Sequence, residues 1–306
     1  MTDIVSQRTR IEDIVETTAL DKAVSVVIPA YNEAAHVLEQ IRAVQGTMKA
    51  AGWTFEIIVV DDGSADGTAQ EAAKAEDVRV LRHRRNKGYG AALKRGIAAA
   101  RYGWILITDA DGTYPVAAIP QLLAAAADND MVVGARTGEN VAVPMERRPA
   151  KAFLNWLASY LAGRPLPDIN SGLRLMRADL VRRYEHLLPS GFSFTTTITL
   201  AAAVNDHQLE YVPIDYHARL GQSKIRPRHA YDFTLLILRT IVFFNPLKVF
   251  IPAGALLALA GIAKFVYDIT RDNLSESAVL ALLGALIVWA VGLLADQNAR
   301  IAASSK

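Results

Sequence analysis

Asp109 and Asp111 stand one residue apart at the end of an apolar run, in the stretch W-I-L-I-T-D-A-D-G-T-Y-P from Trp104 to Pro115. Side chains two apart along a strand point the same way. If the strand frays at Thr108, both carboxylates face one point at its C-terminal end. Carboxylates aimed together repel unless a cation lies between them, and hard oxygen ligands suit Mg²⁺ or Mn²⁺. Gly112 and Pro115 then turn the chain away. The bland alternative is a surface turn with two solvated acids.

The elements that must position these residues decide between the two. Val24–Ile28 is a β-rich run ending at Pro29, and Pro29-Ala-Tyr-Asn-Glu33 reads as the loop after it. Phe55–Val60 is a second strand, ending in Asp61-Asp62-Gly63-Ser64, and Val78–Leu81 a third. Met131–Val133 reads as a further strand, with Arg136 just beyond its end. Between them, helical spacing is read over Ala34–Ala50, from about Asp66, over Ala91–Ala100 and near Val116–Ala127. Strands alternating with helices at this spacing imply a parallel sheet covered on both faces. Asn32 and Glu33, Asp61 and Asp62, Asp109 and Asp111, and Arg136 then all lie at strand ends, where ligands bind in open α/β sheets. Solvation explains one such end far more easily than four. Gly88-Tyr-Gly90 lacks the third glycine of a dinucleotide fingerprint and follows the third strand, so it does not argue for NAD. A tight turn at a helix start, with amides near a phosphate, is the alternative.

The chain has 306 residues, no cysteine and a net charge of +2. Disulfides, thiolate catalysis and Cys-ligated metals are excluded, and no global field argues for nucleic acid. The six histidines show no metal-ligand spacing. A mean hydropathy of +0.18 is high for a soluble enzyme, and the apolar excess concentrates after Phe233. The residues ahead of Val24 read as a loose arm with no basic-then-apolar leader.

Arg147, Arg148 and Lys151 precede Ala152–Leu161, whose Phe153, Leu154, Trp156, Leu157, Tyr160 and Leu161 make a wide apolar face. It reads either as a core helix or as one lying in a membrane interface. Asp168-Ile-Asn-Ser-Gly172 is a turn before a strand at Leu173–Met176; a helix over Thr195–Val204, a strand at Leu209–Val212 and the cations Arg219 and Lys224 follow. Leu247–Tyr267 and Ala278–Ala295 are each long enough to cross about 30 Å of hydrocarbon. Asp268–Ser277 is a polar hairpin between them, Lys264 can snorkel from the first span, and Asp232–Phe244 suits an interfacial helix. Lys224, Arg226, Arg228, Arg239 and Lys248 precede the first span, and Arg300 and Lys306 follow the second. By the positive-inside rule the large domain and C-terminus face the cytoplasm, with two spans in a cell (inner) membrane. Small residues in the spans (Gly254, Ala258, Gly261, Gly284, Gly292) permit a homo-oligomer or equally an intramolecular pair.

A carboxylate pair for a divalent metal, a nucleotide-sized sheet site and a membrane anchor suit an enzyme that takes an activated soluble donor and acts on a lipid. A metal held by Asp109 and Asp111 would neutralise a leaving diphosphate. Arg136, Arg147, Arg148, Arg219 and Lys224 could hold phosphates at the membrane surface.

These residues also carry a resemblance. Pro29-Ala-Tyr-Asn-Glu33, Val59-Val-Asp-Asp-Gly-Ser-Ala-Asp-Gly67, Asp109-Ala-Asp111 and Gly221-Gln-Ser-Lys224 resemble glycosyltransferase family 2, and within it the polyprenyl-phosphate glycosyltransferases. The resemblance implies an α/β GT-A fold with a mostly parallel sheet, interfacial helices and two C-terminal transmembrane helices. Its divisions would be an N-terminal arm (1–23), a GT-A catalytic domain (24–228), an interfacial amphipathic helix (229–246) and a transmembrane hairpin with a short tail (247–306). The implied reaction is inverting transfer of a hexose from a UDP- or GDP-sugar to undecaprenyl or dolichyl phosphate, with Mg²⁺ or Mn²⁺. Pro29, Tyr31, Glu33, Val60 and Asp62 would hold base and ribose; Asp109, Ala110 and Asp111 the metal and diphosphate; Arg219 and Lys224 phosphate. Arg136, Arg147 or Arg148, and Ser223 would meet the acceptor phosphate. Thr113 stands where the dolichyl enzymes often have glutamine, which leans toward the bacterial glucosyl-type branch. Soluble relatives carry a Glu-Asp pair where this chain has Ser193-Phe-Thr195, and an acceptor that arrives ionised needs no base. A processive synthase would need a base and usually Q-x-x-R-W, which is absent; a non-catalytic nucleotide-sugar-binding scaffold would not need intact Asp109 and Asp111.

Overall fold

The computed structural model describes residues 22–138, 148–216, 228–271 and 275–304. β1 (Ala23–Ala30), β2 (Thr54–Asp61), β3 (Val78–Arg82), β4 (Trp104–Ile107), β5 (Met131–Ala135), β6 (Arg174–Arg177) and β7 (Leu209–Pro213) form one sheet in the order β3-β2-β1-β4-β6-β5-β7. The pairings are parallel except on both sides of β6, which runs against β4 and β5. The sheet is mostly parallel, as the resemblance implies, and departs from the all-parallel reading of the strand–helix alternation only at that strand. β6 is fully buried for three of its four residues, so its sequence reads like a parallel core strand.

β1 also extends further than its sequence suggests. Pro29 and Ala30 lie in the strand, opposite Val60 and Asp61, instead of opening the loop. The pairing with β4 ends at Val27, so proline's missing N–H costs no ladder bond on that side.

Helices cover both faces. On one side α1 (Val37–Ala51) and α4 (Ile119–Ala124) seal Val24, Val26, Ile28, Leu106 and Leu175. α2 (Thr68–Ala72) is a short turn of helix after β2. On the other side α3 (Tyr89–Ala98), α5 (Arg148–Ala162), α6 (Ala178–Tyr184) and α7 (Phe194–Val204) enclose Val27, Ile105, Ile107, Val133 and Met176. α8 (Arg228–Phe244) joins this layer through the buried Ile237 and Ile241 and also packs on the C-terminal helices. α5 divides its apolar face: Leu154, Ala158 and Leu161 are buried, whereas Phe153, Trp156 and Tyr160 form an exposed ridge of neighbouring rings.

α9 (Leu247–Ile269) and α10 (Glu276–Ser304) are both long and apolar enough to span a bilayer. Leu256, Leu259 and Ile262 on α9 and Leu280, Leu283 and Ile287 on α10 are at least half exposed. Such a surface makes the two helices candidate membrane spans. The glycines settle how the pair meets: a methyl on Gly254 would fall 2.3 Å from Trp289, and one on Gly292 would fall 2.5 Å from Phe250. They serve close packing within the chain. Helix α9 runs through Asp268, so the polar connection is shorter than the sequence suggests. Lys264 and Ser275 both bond the Asp268 carboxylate there, and Lys264 Nζ also donates to Ser275 Oγ at 3.0 Å.

Candidate active site

The C-terminal ends of β1 and β2 carry two loops that hydrogen-bond to each other. Asn32 N–H donates to Ser64 Oγ (2.9 Å), Ala65 N–H to Asn32 Oδ1 (3.1 Å), Glu33 N–H to Thr68 Oγ1 (2.9 Å) and Ala34 N–H to Asp66 Oδ2 (3.1 Å). Asn32 adopts φ +56°, a left-handed turn that asparagine tolerates better than most residues. The two segments form one wall, from which Tyr31 projects 37% exposed. Val60 is buried in the sheet behind it.

Asp62 fastens this wall to the start of α3. Its Oδ1 lies 2.7 Å from His83 Nδ1 and accepts the Lys87 amide (2.9 Å), while Oδ2 accepts the Gly88 amide (2.8 Å). The idea that these turn amides wait for a phosphate is thereby corrected, because a carboxylate of the protein holds them. Gly90 is needed for packing: a methyl there would sit 2.3 Å from the Pro189 carbonyl oxygen.

The acid pair lies at the centre. Beyond β4, Asp109 Oδ1 accepts the Tyr89 hydroxyl at 3.0 Å. Burial and the Asp109 charge raise the Tyr89 pKa well above its ordinary value, so the phenol stays a donor. Asp111 Oδ1 accepts the Thr113 amide (3.1 Å) and the Thr113 hydroxyl (2.7 Å). Thr113 thus orients Asp111. Ala110 is buried between the two acids. Gly172, from the turn before β6, lies against this pair: a methyl there would come 2.9 Å from Asp109 Oδ2. Its amide donates to the Tyr114 hydroxyl at 2.6 Å.

From Tyr114 the contacts run on to Tyr216 and Arg136. Tyr114 meets Tyr216 edge-on at 5.2 Å, and the Arg136 guanidinium lies 5.3 Å from the Tyr216 ring centre. Arg136 forks onto Asp168, with Nε to Oδ2 at 2.7 Å and Nη2 to Oδ1 at 2.8 Å, and its backbone amide also reaches Oδ2. Burial opposes the Arg136 charge, but the tyrosines and Asp168 raise its pKa above the ordinary guanidinium value. Arg148 stands at the head of α5. Arg147, Arg219, Ser223 and Lys224 lie outside the described residues.

The donor set fits a six-coordinate hard cation that keeps water and substrate oxygens in its shell. Two carboxylates stand on one strand end, and no cluster of three metal-binding side chains occurs among the described residues. Sequence reasoning assigned no role to His83, Tyr89, Tyr114, Gly172 or Arg174. Tyr89 lies inside the glycine turn that lacks a dinucleotide fingerprint, and Tyr114 inside the acidic motif itself. Arg174 is a cation at the head of a strand that is otherwise apolar until Arg177, which is the available signal.

A family model described as Glycosyl transferase family 2 matches residues 25–184, and one described as GtrB C-terminal hairpin matches residues 245–301. Among solved structures, glucosyl-3-phosphoglycerate synthase from Mycobacterium tuberculosis, in complex with Mn²⁺, uridine diphosphate and phosphoglyceric acid, is similar at 19% identity and TM-score 0.57. The match covers 72% of this chain and 78% of that one. Mannosyl-3-phosphoglycerate synthase from Rubrobacter xylanophilus is similar at 22% identity and TM-score 0.55, over 72% of each chain. At these identities the likeness concerns the fold, which is GT-A-like.

Proposed function

From the premise that this chain belongs to glycosyltransferase family 2, we propose that it is a membrane-anchored hexosyltransferase. Its donor is a UDP- or GDP-sugar and its acceptor polyprenyl phosphate at the cytoplasmic side of the bilayer. The observation that carries this reading is the joining of a carboxylate pair at the sheet's strand ends to a hairpin whose apolar side chains face outward.

In this reading, the wall built from Pro29, Tyr31, Glu33 and Asp62 receives base and ribose. Asp109 and Asp111 hold Mg²⁺ or Mn²⁺, which when bound neutralises the charge developing on the leaving diphosphate. Tyr89 and Thr113 fix the two carboxylates by donating hydrogen bonds to them. Arg136, held rigid by Asp168, offers positive charge on the acceptor side, with Arg147, Arg148, Arg219, Ser223 and Lys224 as further phosphate partners. A phosphate oxygen is already a nucleophile, so displacement at the sugar carbon requires no proton removal. The exposed ridge of Phe153, Trp156 and Tyr160 suits the headgroup level, where aromatic side chains collect.

The test is transfer of labelled sugar from a panel of UDP- and GDP-sugars to undecaprenyl phosphate in detergent, with and without Mn²⁺ or Mg²⁺. The expected result is a metal-dependent lipid-linked sugar from one donor, lost in Asp111→Ala. Lipid product from no donor, with transfer to phosphoglycerate instead, overturns the acceptor assignment. Undiminished transfer by Asp111→Ala overturns the mechanism.

A further inference from the structure

Arg174 is out of keeping with its position. It pairs across the sheet with Ile107 on β4 and Val133 on β5, and directly opposed residues share a face. That face is the apolar one under α7, with Ile105, Ile107, Met131, Val133 and Met176. Arg174 is nevertheless wholly buried there. Burial lowers its pKa, and a buried charge is costly unless something compensates it.

The acceptors that it bonds are neutral. Nε and Nη2 both donate to the Ser171 carbonyl, at 3.0 and 2.5 Å. Nη1 donates to the Thr195 carbonyl at 3.1 Å and to the Thr199 hydroxyl at 3.0 Å. One guanidinium therefore joins the 168–172 turn to the first turns of α7. A leucine or methionine would fill the same space without that junction.

The turn so held touches the site on both sides. Asp168 grips Arg136, Gly172 lies against Asp109 and bonds Tyr114, and Asn170 accepts the Thr196 hydroxyl of α7. Ser171, whose carbonyl takes two of the guanidinium bonds, sits among them, and its own hydroxyl donates to the Gly134 carbonyl at 2.5 Å. The positive end of the α7 dipole lies beside the same turn.

We propose that Arg174 is a positioning residue for glycosyl transfer. It fastens the 168–172 turn to α7 so that Gly172 stays against Asp109 and Asp168 stays on Arg136. Its fixed charge adds positive potential beneath the place where the anionic donor and acceptor meet. The second role rests on the proposed substrates; the fastening does not.

The experiment uses the full chain in detergent, with Arg174→Met, Arg174→Lys and Thr199→Val. Backbone hydrogen exchange over residues 168–173 is measured beside thermal unfolding, nucleoside diphosphate release and KM for donor and acceptor. Arg174→Met is expected to exchange at least tenfold faster over that turn, with β1 and β2 unchanged. Its kcat falls at least a hundredfold while donor KM stays within threefold. Arg174→Lys, keeping the charge but not the fork, recovers at least tenfold in kcat and leaves exchange fast. Thr199→Val, losing one acceptor, exchanges about threefold faster and loses about threefold in kcat. A folded Arg174→Met with unchanged exchange at the turn, or with kcat within threefold of the parent, overturns the proposal. Should neither Arg174 variant fold, Thr199→Val with unchanged exchange and kcat overturns it. A parent protein that transfers sugar to no acceptor sinks the substrate assignment, and the exchange measurement still decides the role of Arg174.

Discussion

Gly172→Ala is the most informative small perturbation of this molecule. The added methyl would stand 2.9 Å from Asp109 Oδ2, 3.1 Å from Oδ1 and 3.0 Å from Tyr114 Cε2, where ordinary contact begins at 3.4 Å. Close-packed surroundings yield little, so Asp109 must retreat by about half an ångström. The backbone of Gly172 is not among the positive-φ glycines, so alanine introduces no conformational strain. The cost therefore falls on the site, while the fold loses at most about 1 kcal/mol. A misplacement of about 1 Å can cost on the order of a hundredfold in rate, so half of that predicts a kcat loss of about tenfold. Because Asp109 is read as a metal ligand, the Mn²⁺ concentration for half-activation should rise as well. The assay is nucleoside diphosphate release titrated with Mn²⁺, beside a thermal melt. A variant with kcat and metal midpoint within twofold of the parent, at unchanged Tm, would refute the placement of Asp109 in the metal site.

Other perturbations probe other parts of the molecule. Asp168→Asn leaves Arg136 largely buried without its carboxylate, so unfolding should become easier by about 3 kcal/mol; denaturant unfolding in detergent with an unmoved midpoint would contradict the role of the pair. Thr113→Ala removes the hydroxyl that orients Asp111 and should weaken metal activation about fivefold at unchanged donor KM, measured by the same titration. Burial alone would push the Glu56 carboxyl up, but hydrogen bonds from Ser25, Arg101 and Arg79 hold it below its ordinary value of 4.5. Its stabilising contribution is thus complete above that value and lost as pH falls through the lower folded one. Acid unfolding should be steeper in the parent than in Glu56→Gln, and equal slopes would refute this. Gly254→Leu drives a side chain into the Trp289 ring and should separate α9 from α10, seen as increased proteolysis of the purified chain.

The strands, the helices between them and the apolar hairpin were legible because each is a contiguous pattern. Val24–Ile28 and Trp104–Ile107 declare themselves by composition, and the polar residues at their ends follow from topology. What was not legible depends on partners distant in sequence. Arg136 and Asp168 are 32 positions apart, and nothing local to either says that the guanidinium is already engaged. Asp62 reads as a ligand group from its motif, while the structure shows it also holding the turn that opens α3. The reversal of β6 leaves no mark in its composition, since a strand buried on both faces looks alike in either direction. Proline reads as a stop at Pro29, yet the strand continues through it because the neighbouring β4 pairs no further than Val27.

That reversal has a consequence for how the molecule can be varied. Because β6 descends, the residues before it, instead of those after it, arrive at the strand ends where the site lies. The chain leaves the site at Arg136, returns at Asp168, and these two residues are bonded to each other. The chain between these two residues is therefore an excursion in sequence whose two ends are clasped together. The cost of closing such a loop rises slowly with length. Within it α5 sends Leu154, Ala158 and Leu161 into the core, so a grafted segment must keep that buried face while its exposed positions are free to vary. Under the proposed function, residues 29–113 would serve the donor and the excursion the acceptor, and chimeras joined at the Arg136–Asp168 clasp are the proteins in which acceptor preference should travel with the insert.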